Sequence, residues 1–190
     1  MNKTTIYFLR HGEVYNPNDI LYGRLPKFPL SERGRKQIED TAKELKDKHI
    51  NYLYTSPLLR TRQTAQIIGR VLKLRPKLSE LITEVNLIFE GVSLTEYREK
   101  IQPVLYSEKY VRKGQESVEE ILKRMLQFLH IIIRKHPGKT IFVVSHGDPI
   151  MILRAFFSHI PFTYTYKKAN YLQTGRYIRV VYAHRKYTVE

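Results

Sequence analysis

Two apolar runs end alike: "YFLRHG" (7–12) and "FVVSHG" (142–147) each lead into a histidine followed by a glycine. An imidazole at the end of a buried strand is held rigidly while it meets substrate, and the glycine lets a ligand come close to the backbone. Arg10, and the arginines of "SPLLRTRQT" (56–64), add planar donor forks suited to phosphate or carboxylate oxygens. These types in this pattern suit a nucleophilic or acid–base histidine working on an anion.

Such residues share a site only if their strands end at one edge of a sheet. "TTIYFL" (4–9), "NYLYTS" (51–56) and "TIFVVS" (140–145) read as strands. A helix is expected over 31–48, with Ser31 as N-cap and Ile38, Ala42 and Leu45 on one face. Pro57 suits the first turn of a second helix, "LLRTRQTAQIIGRVL". A third spans 117–136, where Ser117 and Glu120 make a capping-box pattern ahead of an apolar stripe through Ile121, Met125, Phe128 and Ile132. The stretch 78–114 allows one or two short helices around "LTEYREKI". A helix from Pro149 to Ser158 follows, then two strands around Thr174-Gly175. Strands alternating with helices imply an α/β layer fold with a mainly parallel sheet, whose ligands bind beyond the strand carboxyl ends. Alternation along a strand sends Arg10 and His11 to opposite faces, so a common site requires a bend at residue 10 or 11.

A chain of 190 residues is expected to form one domain, 1–190. No stretch approaches the apolar run of about 18 residues that a membrane span needs. With no cysteine there is no disulfide, thiolate metal site or cysteine nucleophile, which fits a cytoplasmic protein. The formal charge of +15 permits a polyanion partner. Between Asp148 and Glu190 there is no acidic residue, while Arg154, Lys167, Lys168, Arg176, Arg179, Arg185 and Lys186 alternate with tyrosines. A solvated basic strand pair accounts for this stretch more simply, so nucleic acid is permitted without being favoured.

Four ordered segments, "RHGE" (10–13), "YGRLPKFPLSERGRKQ" (22–37), "TSPLLRTRQTA" (55–65) and "VVSHGDPI" (143–150), resemble the histidine phosphatase superfamily, also called phosphoglycerate mutase-like. The resemblance implies a three-layer α/β/α fold and a phosphomonoesterase that needs neither metal nor other cofactor and acts on a small phosphorylated substrate. It makes His11 the nucleophile, Arg10 and Arg60 the clamp on the phosphoryl oxygens, His146 and Gly147 part of the same pocket, and Glu84 the general acid. Arg24 is expected to reach substrate. The sequence departs from the usual pattern in three places. An asparagine expected six positions after the nucleophile is absent, leaving Asn16 or Asn18, with Asn16 favoured; Lys27-Phe28 replace an acidic residue before "PLS"; and Leu87 to Phe89 replace a glycine and tryptophan, leaving Glu90 as a rival acid. Mutase-type transfer between phosphoglycerates, and a silent anion-binding module, are the alternative readings.

His49, His130, His136, His159 and His184 match no motif and read as structural or surface residues. No pair of histidines has metal-ligand spacing such as HExxH, and Asp148 alone makes no metal site. "GKT" (138–140) precedes a strand instead of following one, so it reads as a turn, not a phosphate loop.

Overall fold

A computed structural model describes residues 3–190. Strands β1 (Thr4–Arg10), β2 (Tyr52–Thr55), β3 (Lys77–Leu78), β4 (Thr140–Ser145), β5 (Tyr177–Ala183) and β6 (Lys186–Val189) form one sheet in the order β3-β2-β4-β1-β5-β6. The first four of that order run parallel, and β5 and β6 are antiparallel to their neighbours. The helices are α1 (Glu32–Glu44), α2 (Leu59–Leu72), α3 (Leu94–Glu96), α4 (Glu108–Val111), α5 (Val118–Lys135), α6 (Gly147–Phe157) and α7 (Tyr164–Asn170).

Alternation along β1 builds the layers. Tyr7 and Leu9 enter one core with Ile38 and Ala42 of α1 and Ala65 and Ile68 of α2. Ile6 and Phe8 enter the opposite core with Met125, Phe128 and Leu129 of α5 and Ile150 and Leu153 of α6. The fold is therefore the mainly parallel α/β layer arrangement that the alternating pattern implies, in the three-layer α/β/α form that the resemblance implies. Both helix starts read from sequence are in place: Ser31 Oγ accepts from Gly34 N at 2.9 Å, and Ser117 and Glu120 form a reciprocal capping box.

Several boundaries differ for local reasons. The helix expected over 31–48 ends at Glu44 and tightens into a 3-10 turn over Lys46–Lys48, closed by His49 at φ 49°. The second helix begins at Leu59, with Pro57 outside it. Helix α6 starts at Gly147, two residues before Pro149; proline is tolerated there because first-turn N–H groups have no intrahelical partner. The short edge strand β3 lacks any apolar alternation and went unread. The expected turn at Thr174-Gly175 is not a hairpin: β5 begins only at Tyr177, and the hairpin closes at His184-Arg185, with φ 51° and 63°. Residues 171–173, expected as its first strand, are irregular and follow helix α7, which is capped by Thr163, whose Oγ1 accepts from Tyr166 N at 3.1 Å.

The chain places β4 between β2 and β1, so three parallel strands end side by side. Ser56, His146 and His11 directly follow their last residues. Backbone bonds tie them together: Ser56 N donates to Val144 O at 3.0 Å and His11 N to Ser145 O at 3.1 Å.

A two-residue hairpin turn with both residues left-handed favours Asn-Gly. Replacing His184-Arg185 by Asn-Gly is expected to stabilise the fold by about 1–2 kcal/mol, read as a raised urea midpoint with unchanged slope.

Candidate active site

The bend that a shared site requires lies where β1 ends. Gly175 N donates to both Arg10 O (3.0 Å) and His11 O (3.2 Å). Consecutive carbonyls of an extended strand point in opposite directions, so one N–H that takes both marks the chain curling. Gly175 does this at φ 73°, a conformation that costs glycine little.

Arg60, in the first turn of α2, is buried to 1% exposure and joins the two histidines. Its Nε donates to His11 Nε2 at 3.2 Å and its Nη2 to His146 Nδ1 at 3.2 Å, with Gly23 O a further acceptor at 2.7 Å. Guanidinium only donates, so both ring nitrogens carry lone pairs. His11 therefore bears its proton on Nδ1, which donates to Gly12 O at 2.7 Å. His146 bears its proton on Nε2, which donates to Ser56 Oγ at 2.8 Å. Burial above all, then the charge of Arg60, keeps both rings neutral well below the usual imidazole range; Arg10 acts in the same direction on both.

Glu84 Oε2 lies 3.6 Å from His146 Nδ1 and 3.9 Å from Arg60 Nη2. Burial raises its pKa, and Asp148 adds to this against the opposing pull of Arg60. Its rival Glu90 stands elsewhere: Glu90 Oε1 accepts from Arg24 N and ties down the loop at Gly23. Arg10 packs its guanidinium over the Tyr171 ring at 4.7 Å and donates from Nη1 to Leu172 O at 2.8 Å. Its buried Nε has no partner, a donor left for something else. Above these groups opens a cleft of about 480 Å³, whose walls include Tyr22, Tyr97, Arg98 and Tyr171.

Of the residues singled out from sequence, His11, His146, Arg10, Arg60, Glu84 and Gly147 come together. Gly147 opens α6 and has no room for a side chain, because a Cβ there would meet the Tyr171 hydroxyl at 2.2 Å. Of the residues that come together, Arg10 and Glu84 line the cleft while His11, His146 and Arg60 are buried, and neither Asn16 nor Arg24 lines it. Both amide atoms of Asn16 engage Ile20, with Nδ2 donating to Ile20 O at 2.9 Å, and Asn18 is exposed. Arg24 reaches behind the site, where Nε donates to Glu84 O at 2.7 Å.

Sequence reasoning missed Ser56, Tyr22 and the buried group around Asp148. That carboxylate accepts from Tyr106 (2.6 Å), Lys167 (2.7 Å) and Tyr171 (2.8 Å). Burial favours its neutral form, but Lys167 and these hydrogen bonds outweigh burial and hold it ionised. Lys167, counted from sequence among exposed basic residues, is thus an interior partner, and Arg179 pairs with Glu190. Of the unmatched histidines, His136 packs against Tyr52 and Tyr54, while His49, His130, His159 and His184 are exposed.

Among the described residues, His11, Glu84 and His146 offer ligand atoms within 4.8 Å of one another. Arg60 sets a fixed positive charge between the two imidazoles. The donor set therefore fits an anion, not a metal cation.

Residues 6–190 match the histidine phosphatase superfamily (branch 1). Over 157 residues the chain is 32% identical to phosphoserine phosphatase 1 of Hydrogenobacter thermophilus, a match covering 76% of this chain and 72% of that protein. Over 89 residues it is 40% identical to protein Rv0525 of Mycobacterium tuberculosis, spanning 47% of this chain and 44% of the mycobacterial one, less than half of that relative's length. The solved structure of Bacillus stearothermophilus YhfR is similar with a TM-score of 0.84 and 25% identity, over 98% of this chain and 95% of the other.

Histidine ¹⁵N–¹H spectra are expected to show His11 as the Nδ1–H tautomer and His146 as Nε2–H, with neither ring charging as pH falls through about 6.5. The unfolded chain does take protons there, so it binds more protons than the folded state and stability falls as pH drops below that value. His11→Phe with His146→Phe should flatten that part of a urea-midpoint-against-pH curve.

Proposed function

This chain belongs to the histidine phosphatase superfamily, and from that premise we propose that it hydrolyses a small phosphorylated metabolite through a phosphohistidine on His11, without a metal. The lone pair on His11 Nε2 carries this reading, since Gly12 O fixes the tautomer and burial keeps the ring neutral. As Arg60 Nε turns from Nε2 to a phosphoryl oxygen, Nε2 attacks phosphorus while the bond to the leaving oxygen breaks, and Nδ1–H stays bonded to Gly12 O while the ring gains charge.

Arg10, through its unpartnered Nε, joins Arg60 in holding the phosphoryl oxygens, and His146, whose Nδ1 accepts from Arg60 Nη2, orients that guanidinium. The start of α6 at Gly147 adds N–H groups oriented toward an anion. Glu84, whose raised pKa favours the protonated form, gives its proton to the leaving alkoxide. It then takes a proton from the water that attacks the phosphohistidine, freeing His11 and inorganic phosphate. In this reading Asn16 and Arg24 shape the surrounding loops.

A substrate the size of phosphoserine, the compound named for the Hydrogenobacter relative, suits a cleft of about 480 Å³. One catalytic domain over residues 1–190 in the cytoplasm belongs to the same proposal. The absence of cysteine supports it, and among the described residues no helix is long and apolar enough to cross a membrane.

The test is hydrolysis of an activated aryl phosphate and of an alkyl phosphate with chelator present. Wild type is expected to turn over both, and His11→Ala neither. Glu84→Gln should lose about 10²–10⁴-fold on the alkyl ester, whose alkoxide must be protonated. A folded wild type no faster than His11→Ala on either ester, yet exchanging phosphate between phosphoglycerates, would point to transfer instead of hydrolysis.

A further inference from the structure

The segment that carries Glu84 is irregular, a single 3-10 turn over Glu80–Ile82 followed by extended chain. Such a segment has little of its own to fix a carboxyl group in place. Four successive carbonyls of it are instead held from outside. Arg124 Nη1, from α5, donates to Leu81 O at 2.9 Å and Thr83 O at 2.7 Å. Ser145 Oγ, at the end of β4, donates to Ile82 O at 2.8 Å. Glu84 O accepts from Arg24 Nε at 2.7 Å and from Arg124 Nη2 at 3.4 Å.

Glu116 binds the two arginines together. Its Oε1 accepts from Arg124 Nε at 2.6 Å, and its Oε2 accepts from Arg24 Nη2 at 3.3 Å, Arg124 Nη2 at 3.2 Å and Asn86 N at 2.8 Å. The Arg124–Glu116 pair is largely shielded, with side chains 14% and 13% exposed. Beyond Glu84, Val85 N donates to Glu84 Oε1 at 2.9 Å, which leaves Oε2 directed at His146 and Arg60. A clamp on the backbone at 81–84 therefore sets the direction of one carboxylate oxygen.

We propose that Arg124 and Glu116 are positioning residues for proton transfer, holding Glu84 at the distance from the phosphoryl site that protonation of a leaving oxygen requires. The proposal rests on Glu84 being the general acid. Donor and acceptor must approach to about 2.6–3.2 Å, and a displacement of about 1 Å can cost on the order of 10²-fold. Among the described residues, Arg124 is the side chain of α5 that supplies this restraint, and its acidic partner Glu116 stands in the loop just before that helix.

A packing role alone would lower activity on every substrate alike, whereas a displaced acid matters only where the leaving group needs a proton. The experiment therefore compares kcat/KM, which reports the first phosphoryl transfer, for an activated aryl phosphate and an alkyl phosphate in wild type, Arg124→Met, Arg124→Lys, Glu116→Gln and Glu84→Gln. Arg124→Met and Glu116→Gln are expected to lose about 10–100-fold on the alkyl ester and far less on the aryl ester. Arg124→Lys, which keeps the charge and part of the donor set, should recover some of the difference. Arg124→Met placed on Glu84→Gln should add no further alkyl-specific loss.

Equal losses on both esters, or no loss on either, overturn the clamp when Glu84→Gln itself discriminates between them. If Glu84→Gln does not discriminate, Glu84 is not the acid and the clamp falls with it. If Arg124→Met does not fold, the same ratio in Glu116→Gln decides.

Discussion

Every part of the site depends on one buried cation. Arg60 is nearly inaccessible, and an unpaired charge in such a place would be severely destabilising. Its partners come from three separate places: His11 after β1, His146 after β4, and the loop ahead of α1, which supplies Gly23 O and the Tyr22 ring, 4.9 Å from the guanidinium carbon. Glu84 supplies a nearby negative charge at 3.9 Å. Satisfying Arg60 thus obliges these segments to meet, and once they meet, the tautomer of each histidine is decided. The same guanidinium makes the place hostile to a metal and hospitable to a phosphoryl group.

The sheet makes that meeting affordable in conformational terms. Ser56, His146 and His11 leave three adjacent parallel strands, so rigid backbone on both sides of His146 sets their separation. Arg60 sits in the first turn of α2, a short loop beyond β2, and its position is almost as fixed. The side of the cleft built from the irregular middle of the chain has no such frame. There, cation–carbonyl contacts from Arg24 and Arg124 replace the hydrogen-bond ladder, and a buried Asp148 gathers Lys167, Tyr106 and Tyr171 into the opposite wall.

This division explains what could be read from sequence. Strands β1, β2 and β4 announce themselves by apolar runs, α1 and α5 by caps and periodicity, and the histidines by their place at strand ends. Each of those signals is local. The hairpin at His184-Arg185 was unreadable because neither residue is one that favours the left-handed region, whereas Thr174-Gly175 looks like a turn while Gly175 in fact bends the end of β1. Lys167 looked exposed because its partner, Asp148, lies 19 residues away and meets it only through the packing of α7 against the cleft. Asn16 stands one position short of the expected spacing, and its amide closes its own loop. Glu90 stood as a rival to Glu84 in sequence because the five residues between them are irregular chain with no periodicity to say which carboxyl faces inward.

The central claim is that His11 Nε2, kept neutral and unprotonated by its burial and its arginines, accepts the phosphoryl group. The most direct measurement is a rapid quench into alkali during turnover of an aryl phosphate, followed by peptide mass mapping. A single phosphoryl adduct, stable in alkali and labile in acid, is expected on the peptide containing His11, and none in His11→Ala. An adduct on another residue, or turnover by His11→Ala at the wild-type rate, would contradict it.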